Sequence, residues 1–170
     1  MQILVIYSHS YPEQSVSGKA ILEVYAADPR VKLRNLDELY PEGTPIDVEA
    51  EQQALREADV IIVQHPLFWF NVPSRLKRWM DDVLQYGFAY GSTGTALHGK
   101  KFVHSFTTGS GADTYAGELL EVCVAPLRVS AGFCGMEYVG AFPLFGQNAM
   151  SNPEAGPRAA AHVRELLARL

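Results

Sequence analysis

Three segments of this chain carry residue types that could do chemistry, and each follows an apolar run. The segment His65-Pro66-Leu67-Phe68-Trp69-Phe70-Asn71-Val72-Pro73 sets three large aromatics side by side. It follows Asp59-Val60-Ile61-Ile62-Val63-Gln64 and precedes an amphipathic stretch, so a strand hands over to a helix there. Open α/β sheets hold their ligands outside the carboxyl ends of strands. Consecutive aromatics at such a mouth suit a flat ring system, although the same residues equally suit the cap of a core. The second segment, Ser8 to Gly18, holds His9, Ser15 and Ser17 where a helix is expected to start. Unpaired N–H groups at a helix start attract a phosphate, and His9 would add a donor. The same serines also read as ordinary N-caps. The segment has no G-x-G-x-x-G and no G-x-x-x-x-G-K-[ST], which argues against a classical dinucleotide fold or a P-loop. The third segment, Thr107-Thr108-Gly109-Ser110-Gly111, is small enough for backbone N–H groups to approach a ligand closely. Such donors stabilise negative charge on the polar edge of a ring.

The elements that must position these segments alternate between strand and helix. Strands are expected near 2–7, 31–36, 59–64, 101–107 and 133–141, and helices near 17–27, 48–57, 73–85, 116–127 and beyond 157. The clearest period is Leu76, Trp79, Met80, Val83 and Leu84, spaced i, i+3, i+4, i+7, i+8. Strand and helix in strict alternation imply a parallel sheet with helices on both faces. Five strands in this length fit a flavodoxin-like order, 2-1-3-4-5. In that order strands one, three and four are neighbours, so the three segments converge on one crevice. FMN, with a phosphate tail and a planar isoalloxazine, has parts for both ends of it.

Composition narrows the class. The 170 residues, 48% apolar and 19% charged, suit a single flavodoxin-like domain over 1–170. No apolar run is long enough for a membrane helix, and the start leads directly into a strand rather than a signal peptide, so a cytoplasmic location is expected. A net charge of −5 without a basic stripe argues against nucleic acid as partner. Cys123 and Cys134 read as small buried residues. Five scattered histidines show no metal-ligand spacing, and no metal is expected. His98 and His104 read as flanking the fourth strand, and Glu118 and Glu121 as a solvated helix face.

The loop His9…Ser15-Val16-Ser17, the aromatic segment, the run Gly87-Phe88-Ala89-Tyr90-Gly91 and the turn Thr107-Thr108-Gly109-Ser110 together resemble the flavodoxin-like NAD(P)H:quinone reductases. In length and motif spelling the chain most resembles the ancillary flavoproteins of glutathione-gated potassium efflux systems. The resemblance implies that His9, Ser15 and Ser17 hold the flavin phosphate, with Val16 offering backbone. It implies that Leu67, Phe68, Trp69 and Phe70 line the isoalloxazine, and that Thr107, Thr108, Gly109 and Ser110 meet its polar edge. It implies FMN, with FAD as the alternative in a family that uses both, and NAD(P)H as electron donor. The activity implied is that of an NAD(P)H dehydrogenase (quinone): NAD(P)H gives up a hydride and leaves, and a quinone or other small electrophile takes its place, a ping-pong order. Tyr115 stands where reductases of the mammalian type carry a catalytic Tyr, but no matching His follows before His162. The resemblance further implies a homodimer in which the loop of Phe88 and Tyr90 helps cover the neighbouring site. The alternative function it implies is regulatory, as a flavin-binding subunit docked on a potassium efflux antiporter at the inner face of the membrane.

Overall fold

A computed structural model describes residues 1–170. Strands β1 (Ile3–Tyr7), β2 (Val31–Asn35), β3 (Val60–Pro66), β4 (Lys101–Thr107) and β5 (Glu137–Leu144) form one sheet in the order β2-β1-β3-β4-β5. Every neighbouring pair is parallel, as the strand-helix alternation requires. β1 and β3 are apolar along most of their length because both of their faces are covered. The two-residue period sorts them between two cores: Ile3, Val5, Val60 and Ile62 enter one, and Leu4, Ile6, Ile61 and Val63 enter the other. Helices α1 (Val16–Ala27) and α6 (Ala155–Arg169) close the first core. Helices α3 (Val48–Glu57), α4 (Ser74–Val83) and α5 (Glu118–Phe133) close the second. β2 is half-buried throughout, as an edge strand is.

The second core contains one carboxylate. Glu51 is fully buried and accepts from Tyr40 Oη at 2.7 Å, Trp79 Nε1 at 2.9 Å and Arg34 Nε at 2.9 Å. These bonds tie β2, α3 and α4 together, and they satisfy a charge that would otherwise be costly to bury.

Several boundaries differ from the sequence reading. β2 ends at Asn35, and Leu36–Leu39 form a single helical turn, α2. β3 continues through His65 and Pro66, which pair with Phe106 and Thr107 of β4. His104 therefore lies within β4, not beside it, and is completely buried. α5 does not stop near 127. It runs through Pro126 because Cys123, Val124, Leu127 and Ala131 keep one face buried, which outweighs the hydrogen bond that the proline forfeits. It ends in a Schellman arrangement: Gly135 N–H donates to Gly132 O, Met136 N–H donates to Ala131 O, and Gly135 has φ +73. β5 is consequently displaced to 137–144. α6 starts at Ala155, earlier than expected, with Pro157 in its first turn where no N–H is needed.

Candidate functional site

The carboxyl ends of β1, β3 and β4 open onto a cleft of about 340 Å³, within the size range of small-molecule sites. His9, Ser15, Val16 and Ser17 line it from the first loop, Leu67 and Phe68 from the second, and Thr107, Thr108 and Gly109 from the third. The expected convergence of three loops is thus present, although Trp69, Phe70, Ser110 and Tyr115 stand elsewhere.

The first loop combines capping with open donors. Ser15 Oγ accepts from Gly18 N at 2.9 Å, an ordinary N-cap bond. The N–H groups of Val16 and Ser17 lie in the first turn, where their own helix supplies no acceptor. Ser17 is buried, and its hydroxyl donates to Gln147 Oε1 at 3.0 Å, so this side chain is tied to the segment after β5. A Cβ at residue 18 would come within 2.4 Å of Tyr7 Oη and 2.7 Å of Ser15 Oγ, so only glycine lets the helix start lie this close to β1. Tyr7 Oη is buried without a partner beneath that start. Burial, and then the Asp37 charge, hold the Tyr7 hydroxyl in its protonated form. Asp37 anchors the loop itself, accepting from His9 N at 2.7 Å and from Arg75 Nε at 2.9 Å. His9 Nδ1 accepts from Tyr11 N at 3.0 Å, which leaves the neutral ring its proton on Nε2. Burial lowers the His9 pKa, and Asp37 opposes this.

The aromatic loop is a tight hairpin. Phe68 N–H donates to Asn71 O and Asn71 N–H donates to Phe68 O, both at 3.0 Å. The two residues between them, Trp69 at φ 49 and Phe70 at φ 61, are both left-handed. A two-residue turn of this kind ordinarily takes Asn-Gly, and bulky side chains there store strain. Phe68 faces the cleft, with His9 edge-on at 5.5 Å and Tyr11 at 5.8 Å. Trp69 projects outward, 94% exposed, and lines an adjoining cleft that shares Tyr11 and Phe68 with the first. Phe70 packs against Tyr115, 6.4 Å away.

At the third loop, Ser110 O accepts from Thr108 Oγ1 at 2.7 Å and from Gly146 N at 2.8 Å, so Ser110 closes the turn rather than lining the cleft. Tyr115 belongs to a short 3-10 turn, Ala112–Tyr115, and is buried against Phe145, not exposed in a loop. Burial raises its pKa, so it is a neutral hydroxyl donor. His162 is on α6, where burial lowers its pKa, and supplies no relay partner. Phe88 is buried in its own core beneath the Arg56 guanidinium, leaving Tyr86 and Tyr90 as the outer aromatics of that loop.

Sequence reasoning missed one wall of the cleft, formed by Gln147, Asn148, Ala149 and Met150, together with Tyr11 and Gln14. Gln147 N donates to Thr108 O at 2.7 Å, drawing the segment after β5 over the mouth. The available signal was that this loop, too, follows the carboxyl end of a parallel strand.

Directly beneath the cleft lies a buried imidazole pair. His65 Nε2 and His104 Nε2 are 2.9 Å apart, and His65 Nδ1 is 2.9 Å from Pro66 O. A carbonyl only accepts, so His65 carries its proton on Nδ1 and receives one from His104 Nε2. Burial pushes the pKa of His65 down to about 4, and burial followed by the neighbouring His65 pushes that of His104 down to about 2, so both rings are neutral.

All of residues 1–170 match the flavodoxin-like fold family. The chain is 43% identical over 145 residues to the glutathione-regulated potassium-efflux system ancillary protein KefF of Salmonella typhimurium, covering 84% of this chain and 82% of that one. General stress protein 14 of Treponema denticola, solved in complex with FMN, superposes with a TM-score of 0.86 at 32% identity, covering 99% and 97% of the two chains. An NADPH-quinone reductase from P. pentosaceus superposes with a TM-score of 0.80 over 97% of each chain; at 24% identity it speaks to the fold alone.

Proposed function

Because the chain belongs to the flavodoxin-like fold family, we propose that it binds FMN in the three-loop cleft and acts as an NAD(P)H:quinone oxidoreductase. The observation that carries this reading is the meeting, at adjacent strand ends, of an open helix start, an aromatic wall and a turn of small residues. The likeness to a protein solved with FMN supports the choice of cofactor, with FAD as the alternative. The quinone rests on the motif resemblance.

The residues fit such a group. The α1 N–H groups at Val16 and Ser17, the Ser15 hydroxyl and His9 Nε2–H would hold a phosphate. Gly18 keeps the space over Tyr7 that this approach requires. Leu67 and Phe68 would lie along the ring, with Trp69 and Phe70 at its rim. Backbone donors of Thr107, Thr108 and Gly109 would meet the polar edge, where oriented dipoles stabilise negative charge. When bound, FMN supplies two-electron chemistry, and the chain supplies position, exclusion of water and charge stabilisation. NAD(P)H and a quinone would use the same mouth in turn, which gives the ping-pong order. Tyr115, neutral and next to Phe70, would orient the outer substrate by a hydrogen bond.

The test is an absorbance spectrum of protein loaded with FMN, followed by anaerobic NADPH and then a quinone. Bleaching by NADPH and recovery with quinone support the reductase. A flavin that binds but does not bleach leaves the regulatory role.

The identity to KefF favours that second reading, a flavin-binding subunit of a potassium efflux system, at the cytoplasmic face through its partner. No helix of the chain is long and apolar enough to cross a membrane, so attachment would run through the antiporter. Co-purification with the antiporter's membrane fraction tests it. We also propose a homodimer. Val122, Val129 and Phe133 form an exposed apolar stripe on α5, continued by Tyr86 and Tyr90, the kind of patch a second copy covers.

A further inference from the structure

The His65–His104 pair has no part in the chemistry above, yet it is more thoroughly buried than most of the site. Its bonds converge on a single peptide unit. Pro66 O is 2.9 Å from His65 Nδ1, and the Leu67 N–H of the same peptide donates to Thr107 O at 2.9 Å. That peptide is held from both edges. It is also the last before Phe68, where the strained Trp69–Phe70 turn begins. A turn with two bulky left-handed residues relaxes unless its surroundings over-determine it. The N–H side is fixed by ordinary strand pairing. The carbonyl side is fixed by one side chain, His65, whose tautomer is in turn set by His104.

We propose that His65 is a positioning residue of the cofactor site: backed by the His104 donor, it clamps the Pro66–Leu67 peptide and holds the aromatic turn in its binding geometry. The inference rests on the proposed FMN cleft for its functional consequence, but the clamp itself is a property of the flavin-free protein. His104 acts one step further back. Without its Nε2–H, either tautomer of His65 has an unmatched nitrogen, and the tautomer with bare Nδ1 repels Pro66 O. His104 Nδ1 ends the chain as a bare acceptor with no partner.

The two ring nitrogens can be tested separately, because an Asn amide reaches the Nδ1 position and a Phe ring fills the space without donating. Two readouts apply to wild type, His65→Phe, His65→Asn, His104→Leu and His104→Gln. The first is hydrogen exchange at the Leu67 amide in the flavin-free protein. The second is the FMN dissociation constant. His65→Phe should speed Leu67 exchange and weaken FMN by about tenfold, the scale of one lost buried hydrogen bond, while His65→Asn stays within about threefold of wild type on both. His104→Leu should behave as a weaker His65→Phe, with His104→Gln, which restores a donor, as its rescue. If His65→Phe leaves both readouts unchanged while His65→Asn impairs them, the pair is only core packing and the inference falls. Wild type that fails to bind FMN overturns the cofactor reading instead, and Leu67 exchange still decides the clamp.

Discussion

Replacing Trp69 with Asn should make the flavin-free protein more stable and poorer at its task. Trp69 sits at φ 49, a region that costs a bulky L-residue roughly 1–2 kcal/mol and that Asn tolerates. Its side chain is 94% exposed, so the substitution gives up almost no buried apolar area to set against that relief. The hydrogen bonds of the turn join Phe68 and Asn71 and do not involve the side chain. The net expectation is a gain of about 1 kcal/mol, which for a chain of this length raises Tm by about 2–4 °C. Retention of FMN should fall about tenfold, the loss expected when one aromatic wall is removed. Urea unfolding of the flavin-free protein followed by far-UV circular dichroism reads the first effect, and fluorescence titration with FMN the second. Equal or lower stability of Trp69→Asn would refute the claim that the turn stores strain. Unchanged FMN affinity would remove Trp69 from the site.

Gly18→Ala should drive a methyl group into Tyr7 Oη and cost about 1–3 kcal/mol, with FMN affinity falling alongside, as urea unfolding and titration will read. Glu51→Leu should destabilise by about 3–5 kcal/mol, because the Arg34 charge, Tyr40 Oη and Trp79 Nε1 lose their acceptor together; Glu51→Gln, which keeps an acceptor, should lose less. The buried histidines predict a pH dependence. His65 has a folded pKa of about 4 against 6.5 when unfolded, so between these values the unfolded chain binds the extra proton. Stability is then full above 6.5 and falls as pH drops toward 4, by up to about 1.4 kcal/mol per pH unit for this residue; equal unfolding free energies at pH 7 and pH 5 would exclude it. Val129→Glu should turn a dimer into a monomer in sedimentation velocity without altering the far-UV spectrum, since Val129 is exposed in the single chain.

The sheet order was legible because each strand is an apolar run and each crossover a helical period, and parallel connectivity leaves few arrangements. The three loops could be placed for the same reason: once β1, β3 and β4 are neighbours, their carboxyl ends share a crevice. What escaped was set by tertiary contact. Pro126 ended the expected helix, but the buried face of α5 carries on past it. His104 read as a flanking polar residue because sequence does not show that its ring meets His65 from the next strand. Tyr115 read as an exposed loop residue because Phe70 and Phe145, which bury it, come from two other segments. The left-handed turn at Trp69–Phe70 contradicts local propensity, and such contradictions cluster at functional sites.

The central claim is tested most directly by titrating the purified protein with FMN and then adding NADPH and a quinone in turn under anaerobic conditions. The account predicts stoichiometric FMN binding, bleaching of the flavin absorbance by NADPH, and its return on addition of quinone. Failure to bind FMN would contradict it outright, leaving a flavodoxin-like scaffold whose three convergent loops serve another ligand.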